Sequence, residues 1–193
     1  LCAALLSALL HSQTSPGWSS KSAPLCPGGQ LGGGLDVLPD GTLVVCDGKA
    51  LVRATSSGQV NVFVPPASVF GSFVRLVPGN QAVLLGESST GTIWEISIGM
   101  LPYFRTLTTI PFNYDCAYGP SNEILVSALS SFSPARNAVY LVDRGTGATD
   151  LLVEVAGNSG PIAVLPSGDL LLGTLSAVWP APPGSAQIGR AHV

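Results

Sequence analysis

Two carboxylates, Asp47 and Glu87, stand just past short apolar runs (Leu43-Val44-Val45-Cys46 and Ala82-Val83-Leu84-Leu85). Ser127 and Thr174 come near the matching places after two later runs, Ile124 to Val126 and Leu170 to Leu172. Carboxylate and hydroxyl oxygens ringing one rim are the donor set of a hard cation such as Ca²⁺, which takes roughly six to eight oxygens. Asp47 and Glu87 are therefore the candidate metal ligands. A second pair, Asp36 and Arg75, falls three residues before Pro39 and Pro78 respectively. Opposite charges at one register can form an ion pair, stand solvated, or hold a polar ligand. With Ser127 and Thr174 they make up the candidate ligand set.

Other chemistries lack their side chains. The histidines are His11 and His192, close to the two ends, so residues 12–191 contain no imidazole. Ser-His-Asp or Cys-His nucleophilic catalysis and His-ligated zinc cannot be assembled from that stretch. The cysteines are Cys2, Cys26, Cys46 and Cys116, with no Cys-x-x-Cys pair. Cys46 and Cys116 lie in apolar contexts and read as small buried hydrophobes. In an oxidising compartment Cys26 could pair with Cys46.

What must position these residues is a repeat. One phrase recurs: Leu35-Asp36-Val37-Leu38-Pro39-Asp40-Gly41-Thr42-Leu43-Val44-Val45, then Phe73 to Leu85, Cys116 to Val126 and Pro161 to Leu172. Its prolines fall at 39, 78, 120 and 166, spacings of 39, 42 and 46 residues. Each phrase reads as strand, tight turn, strand. Proline opens the turn with its fixed φ, and Asp-Gly, Gly-Asn, Ser-Asn or Ser-Gly tolerates the backbone angles that complete it. The apolar run after each turn is nearly continuous, as in a strand covered on both faces. Two further strands come next in each of the first three units (Ala50–Thr55 and Gln59–Val64; Thr92–Ser97 and Tyr103–Thr108; Ala138–Asp143 and Thr149–Val155). Trp94, Tyr140 and Trp179 fall in strands, where packing between units is their simplest use. Four antiparallel strands per unit of about 40 residues make a β-propeller blade. The fold class expected is all-β: a partial propeller of about three and a half four-stranded blades over residues 34–186.

The phrase resembles that of the NHL-repeat and SMP-30/gluconolactonase-like propellers. Gly34 to Val45 and Pro161 to Leu172 match best, over a resemblance covering roughly residues 34–180. It departs at Arg75, where the family has a small residue, and at the strand ends, which lack its Ala-Asp pair save for Cys46-Asp47. The resemblance implies six blades in the whole ring and, for the enzymes among these families, a metal of the Ca²⁺ kind.

Composition narrows the classes further. Of the 193 residues only 10% are charged, with net charge −3 and two lysines (Lys21, Lys49), which argues against nucleic acid as a partner. With 46% apolar residues the chain is no disordered segment, and no apolar run reaches the length of a transmembrane helix. Residues 1–15, an apolar run followed by small polar residues, read as a secretory leader, which predicts a secreted or periplasmic location. Residues 16–33 read as a linker. Residues 187–193 read as a tail encoded by a sequencing adapter, because Ile188-Gly189-Arg190-Ala191-His192-Val193 is one reading frame of such an adapter.

Three functions are expected in turn. The first is a non-catalytic binding or scaffold module for a protein or glycan. The second, carried by the resemblance, is a Ca²⁺-dependent hydrolase of small lactones or esters, with Asp47 or Glu87 helping to hold the ion. The third is a lyase of the virginiamycin B lyase type.

Overall fold

The four proline-led phrases each fold into the first two strands of a sheet. The computed structural model describes residues 34–46, 50–55, 58–63, 71–79, 82–99, 103–174 and 178–180. The leader, linker and tail segments, Cys26 and Asp47 lie outside the described residues. All regular elements among the described residues are strands. The first sheet holds β1 (Leu35–Val37), β2 (Leu43–Cys46), β3 (Leu51–Thr55) and β4 (Gly58–Phe63). The second holds β5 (Gly71–Leu76), β6 (Ala82–Glu87), β7 (Thr92–Ser97) and β8 (Phe104–Thr109). The third holds β9 (Asn113–Tyr118), β10 (Ile124–Phe132), β11 (Ala135–Val142) and β12 (Thr149–Ala156), and the fourth β13 (Ile162–Val164), β14 (Leu170–Gly173) and β15 (Val178–Pro180). Within every sheet the strands lie in chain order and pair antiparallel.

The turns explain why the phrase folds locally. Leu38 N–H donates to Thr42 O and Gly41 N–H returns to Leu38 O, both at 2.8 Å. The same pair of bonds joins Gly119 with Asn122 and Glu123, and Leu165 with Gly168 and Asp169. The third turn residue is left-handed each time, with φ of 79° at Gly41, 68° at Asn122 and 85° at Gly168. Asparagine and glycine are the residues that enter this region most easily. Asn122→Ala is accordingly expected to cost about 1 kcal/mol, read as a lower urea midpoint at unchanged slope.

Packing between sheets uses the two-residue period of the strand. Val83 and Leu85 of β6 face the first sheet, where they join Val44, Cys46, Leu51 and Phe63. Ala82 and Leu84 of the same strand face the third sheet, in a cluster with Ile124, Val126 and Ala128 of β10. Leu125 of β10 faces the other way, onto Ile162, Leu170 and Leu172 of the fourth sheet. All six residues of β6 are buried, so its unbroken apolar run answers to two covered faces rather than one. The aromatic residues fit the same seams: Trp94 packs against the first cluster and Tyr140 against the second.

The outermost strands differ, with β8 and β12 mostly exposed. Contacts between sheets run chiefly through the first strands: β1 lies on β5, β5 on β9 and β9 on β13. The sheets thus converge at their first strands and fan outward.

Candidate functional site

The convergence of first strands puts Asp36 and Arg75 where their register predicts, on adjacent β1 and β5, but it does not pair them. Asp36 shares the face of its cross-strand partner Val44, toward the second sheet. Its Oδ2 accepts the backbone N–H of Leu76 at 2.6 Å. Arg75 reaches the other way: Nη2 meets Asp115 Oδ1 at 2.7 Å and Nε donates to Cys116 O at 2.8 Å, both on β9. The second oxygen of Asp115 accepts Ile162 N–H of β13 at 3.1 Å. Each first strand is thereby tied to the next by a side chain, and Asp115, 7% exposed, is the joint of three sheets. The sequence reading missed Asp115. The signal available was a carboxylate beside the start of the third phrase, five residues before Pro120 where Asp36 stands three before Pro39.

The remaining predicted residues do similar work. Ser127 is fully buried, and its Oγ donates to Gly160 O at 2.7 Å across the third seam. Thr174 follows β14, and its side chain comes within 3.1 Å of where a Cβ on Gly157 would fall. Asn113 bridges the second seam: its Nδ2 donates to Glu87 O at 2.8 Å and Ile110 O at 3.0 Å, and its Oδ1 accepts Ser72 Oγ.

Glu87 ends β6 almost wholly buried. Its Oε1 takes Ser89 N–H at 2.8 Å and the Ser89 hydroxyl; its Oε2 takes Thr90 N–H at 2.6 Å and the Thr90 hydroxyl. Burial pushes its carboxyl up, but the hydrogen bonds from Ser89 and Thr90 outweigh it and leave it below the usual range. Four donors from its own turn thus fill both oxygens. The fit to Ca²⁺ is poor among the described residues: a cation at Glu87 would have to displace those donors, and no group of three or more His, Cys, Asp or Glu gathers for a metal. Cys116 is a buried thiol whose ionisation burial pushes up, which makes it inert.

A second polar cluster closes the same seam farther out. Glu95 of β7 is only 3% exposed at its side chain. Its oxygens accept Arg144 Nη2 at 2.7 Å, Arg105 Nη2 at 2.8 Å and the Tyr103 hydroxyl at 2.8 Å. Arg144 comes from the β11–β12 turn of the third sheet, so the bridge crosses the seam. Burial pushes the Glu95 carboxyl up, yet the hydrogen bonds from Arg144, Tyr103 and Arg105 win and hold its pKa at about 2.

A groove of about 350 Å³ is lined by the end of β8, the β8–β9 connection and the third sheet. At one end two exposed rings meet edge to face, Phe112 and Phe132, with centroids 4.7 Å apart. Neither ring stood out in the sequence. The apolar run of the third phrase ends at Val126, but β10 continues to Phe132 because β11 pairs with it along its whole length. That long hairpin is what carries Phe132 to the groove.

No family model and no curated protein matches the sequence. Solved structures do match. The extracellular domain of BT4673 from Bacteroides thetaiotaomicron superposes with a TM-score of 0.60 at 14% identity, over 79% of this chain and 21% of that one. Streptogramin B lyase gives 0.58 at 14% identity, over 84% and 59%. The β-propeller domain of Cps50 (Swd1) from Myceliophthora thermophila gives 0.52 at 14% identity, over 76% and 53%. The fold is a partial β-propeller. At these identities the likeness establishes the architecture alone, and the sheets are its blades. The chain spans about a fifth of the first of these structures and under two thirds of the other two.

Proposed function

We propose that this chain is the blade arc of an exported propeller that binds a ligand without transforming it. The observation that carries the reading is how the polar side chains are used. Asp36, Arg75, Asp115, Ser127, Asn113 and Glu87 all have hydrogen-bonding partners within or between blades. A catalytic site needs a reactive group poised against a base with a place left for the reacting atom; these groups are committed to holding blades in register or, at Glu87, to closing a turn. Export is part of the proposal. It is supported by the leader-like run at residues 1–15 and by the likeness to an extracellular domain. The ligand expected from the low charge and blade architecture is a protein or glycan.

The competing reading is hydrolysis of lactones or esters at a Ca²⁺ held near Glu87, with lyase chemistry as a further one. The test is to incubate the full-length protein with aryl esters, aldonolactones and a streptogramin B, with and without millimolar Ca²⁺. The expected result is no turnover above buffer and no rise in melting temperature on adding Ca²⁺. Turnover that Ca²⁺ supports and Glu87→Gln abolishes would overturn the binding reading in favour of the hydrolase. Opening of the streptogramin would overturn it in favour of the lyase.

A further inference from the structure

The groove between the second and third blades has a chemistry of its own. Its lining carries no charged side chain. Four hydroxyl-bearing residues line it, Thr109, Ser130, Tyr140 and Thr149; Ser130 donates to Glu154 Oε1 at 2.5 Å, and the side chains of the other three have no hydrogen-bond partner among the described residues. Phe112 and Phe132 close its end with rings whose residues are 42% and 66% exposed.

Phe112 is the telling residue. It follows Pro111 with φ of 55°, in the left-handed region. That conformation costs an ordinary side chain about 1–2 kcal/mol, and the position after a turn proline is one where glycine or asparagine is usual. A half-exposed ring recovers little of this cost by burial. The backbone is nevertheless held from both blades: Phe112 N–H donates to Ser88 O at 3.2 Å and Phe112 O accepts Leu129 N–H at 3.3 Å. An aromatic ring kept in a strained, exposed place and locked there is the signature of a contact surface.

We infer that this groove binds a neutral saccharide, its pyranose rings lying against Phe112 and Phe132 and its hydroxyls meeting Thr109, Tyr140 and Thr149. The inference rests on the binding reading above and names the ligand class and the place. The groove's volume falls in the range of small-molecule sites, roughly 300–1,000 Å³. A charged ligand would find no counter-charge among the lining residues, and the nearby Glu154 carboxylate is already paired with Ser130 and Arg136. A purely apolar ligand, including an apolar peptide side chain, would bury three hydroxyls unpaired at about 1–3 kcal/mol each. A sugar ring offers apolar C–H faces to the rings and donors and acceptors to the hydroxyls at once.

The experiment is titration calorimetry of the full-length protein with linear hexasaccharides of glucose, mannose and xylose, and with oligogalacturonate as the charged member. At least one neutral hexasaccharide is expected to bind. Phe112→Asn and Phe132→Ser should each weaken it about tenfold, the loss of one ring contact, and Tyr140→Phe should weaken it by a smaller factor. Asparagine accepts the left-handed backbone, so Phe112→Asn should keep its melting temperature and separate binding from folding. Val37→Ser, exposed on β1 of the first sheet and away from the groove, should leave the affinity unchanged.

Failure of every neutral hexasaccharide to bind overturns the inference. So does binding of oligogalacturonate alone, or glycan binding that all three groove variants leave untouched. In that last case the binding function stands and only the groove falls. Retention of a protein partner that Phe112→Asn releases, with no sugar bound, also overturns it. Catalytic turnover of an ester, lactone or streptogramin would instead remove the functional reading on which it rests.

Discussion

Replacing Asp115 with alanine is expected to destabilise the protein by about 3–5 kcal/mol, the usual penalty for removing one partner of a buried, hydrogen-bonded ion pair. Three groups lose an acceptor at once: the Arg75 guanidinium, which keeps Cys116 O and Val74 O, the Cys116 N–H and the Ile162 N–H. Arg75 is a third exposed at its side chain and recovers part of its solvation. The Ile162 amide lies in the buried third seam and does not, so much of the cost sits there. Asp115→Asn keeps one carbonyl oxygen and should cost less than half as much. Urea unfolding measures both variants, and hydrogen exchange at the Ile162 amide should rise in the alanine variant before that of β6 does. A loss under about 1 kcal/mol, the level of a surface pair, would mean that Asp115 is no joint. The exposed Asp40–Arg53 pair in the first blade supplies the contrast, since Asp40→Ala, which also gives up the Thr42 N–H and hydroxyl, should cost much less than Asp115→Ala.

The second large effect is expected at Glu95 and depends on pH. The folded carboxyl titrates at about 2, against 4.5 for the free side chain. The unfolded chain therefore takes up this proton more readily than the folded one. Stability from Glu95 is complete above pH 4.5 and drains away as pH falls from there toward 2. At about 1.4 kcal/mol per pH unit this window holds roughly 3 kcal/mol. Glu95→Gln should lose about that much at neutral pH, because Arg144 and Arg105 then face a neutral amide. Its stability should stay flatter than that of the parent between pH 4.5 and 2, and the two curves should approach each other at the acid end. Parallel curves over that range would mean that the carboxylate does not hold the blade seam. Unfolding monitored by circular dichroism as a function of pH distinguishes the two outcomes.

Both expectations concern side chains that tie one blade to the next, and they explain why the predicted rim residues looked chemical in the sequence. Asp36, Arg75, Ser127 and Glu87 are polar residues set among apolar runs, which is also how catalytic and metal-binding residues look. Distance along the chain hides the difference. Arg75 and Asp115 are 40 residues apart, and Ser127 and Gly160 are 33 apart. Nothing local to Arg75 says whether its partner is Asp36 behind it or Asp115 ahead.

The blade itself was legible because its causes are local. A proline with its fixed φ, a glycine or asparagine able to turn left-handed, and an apolar run long enough for a strand each act within a few residues. Repeating them at spacings near 40 residues sets strand order and antiparallel pairing without reference to any contact between blades. The sense in which each side chain reaches across a seam belongs to another scale. It depends on how neighbouring blades are offset, and that offset arises only when both faces of strands such as β6 and β10 are packed. Phe112 marks the limit most clearly: nothing in the sequence singles it out, and the hydrogen bonds to Ser88 and Leu129 hold a left-handed phenylalanine there in the groove lining. The amino-acid order thus decided the module and its repetition, through local backbone preference. The tertiary structure alone decided which polar groups are used up between blades and which face outward, because burial and long-range pairing set that choice.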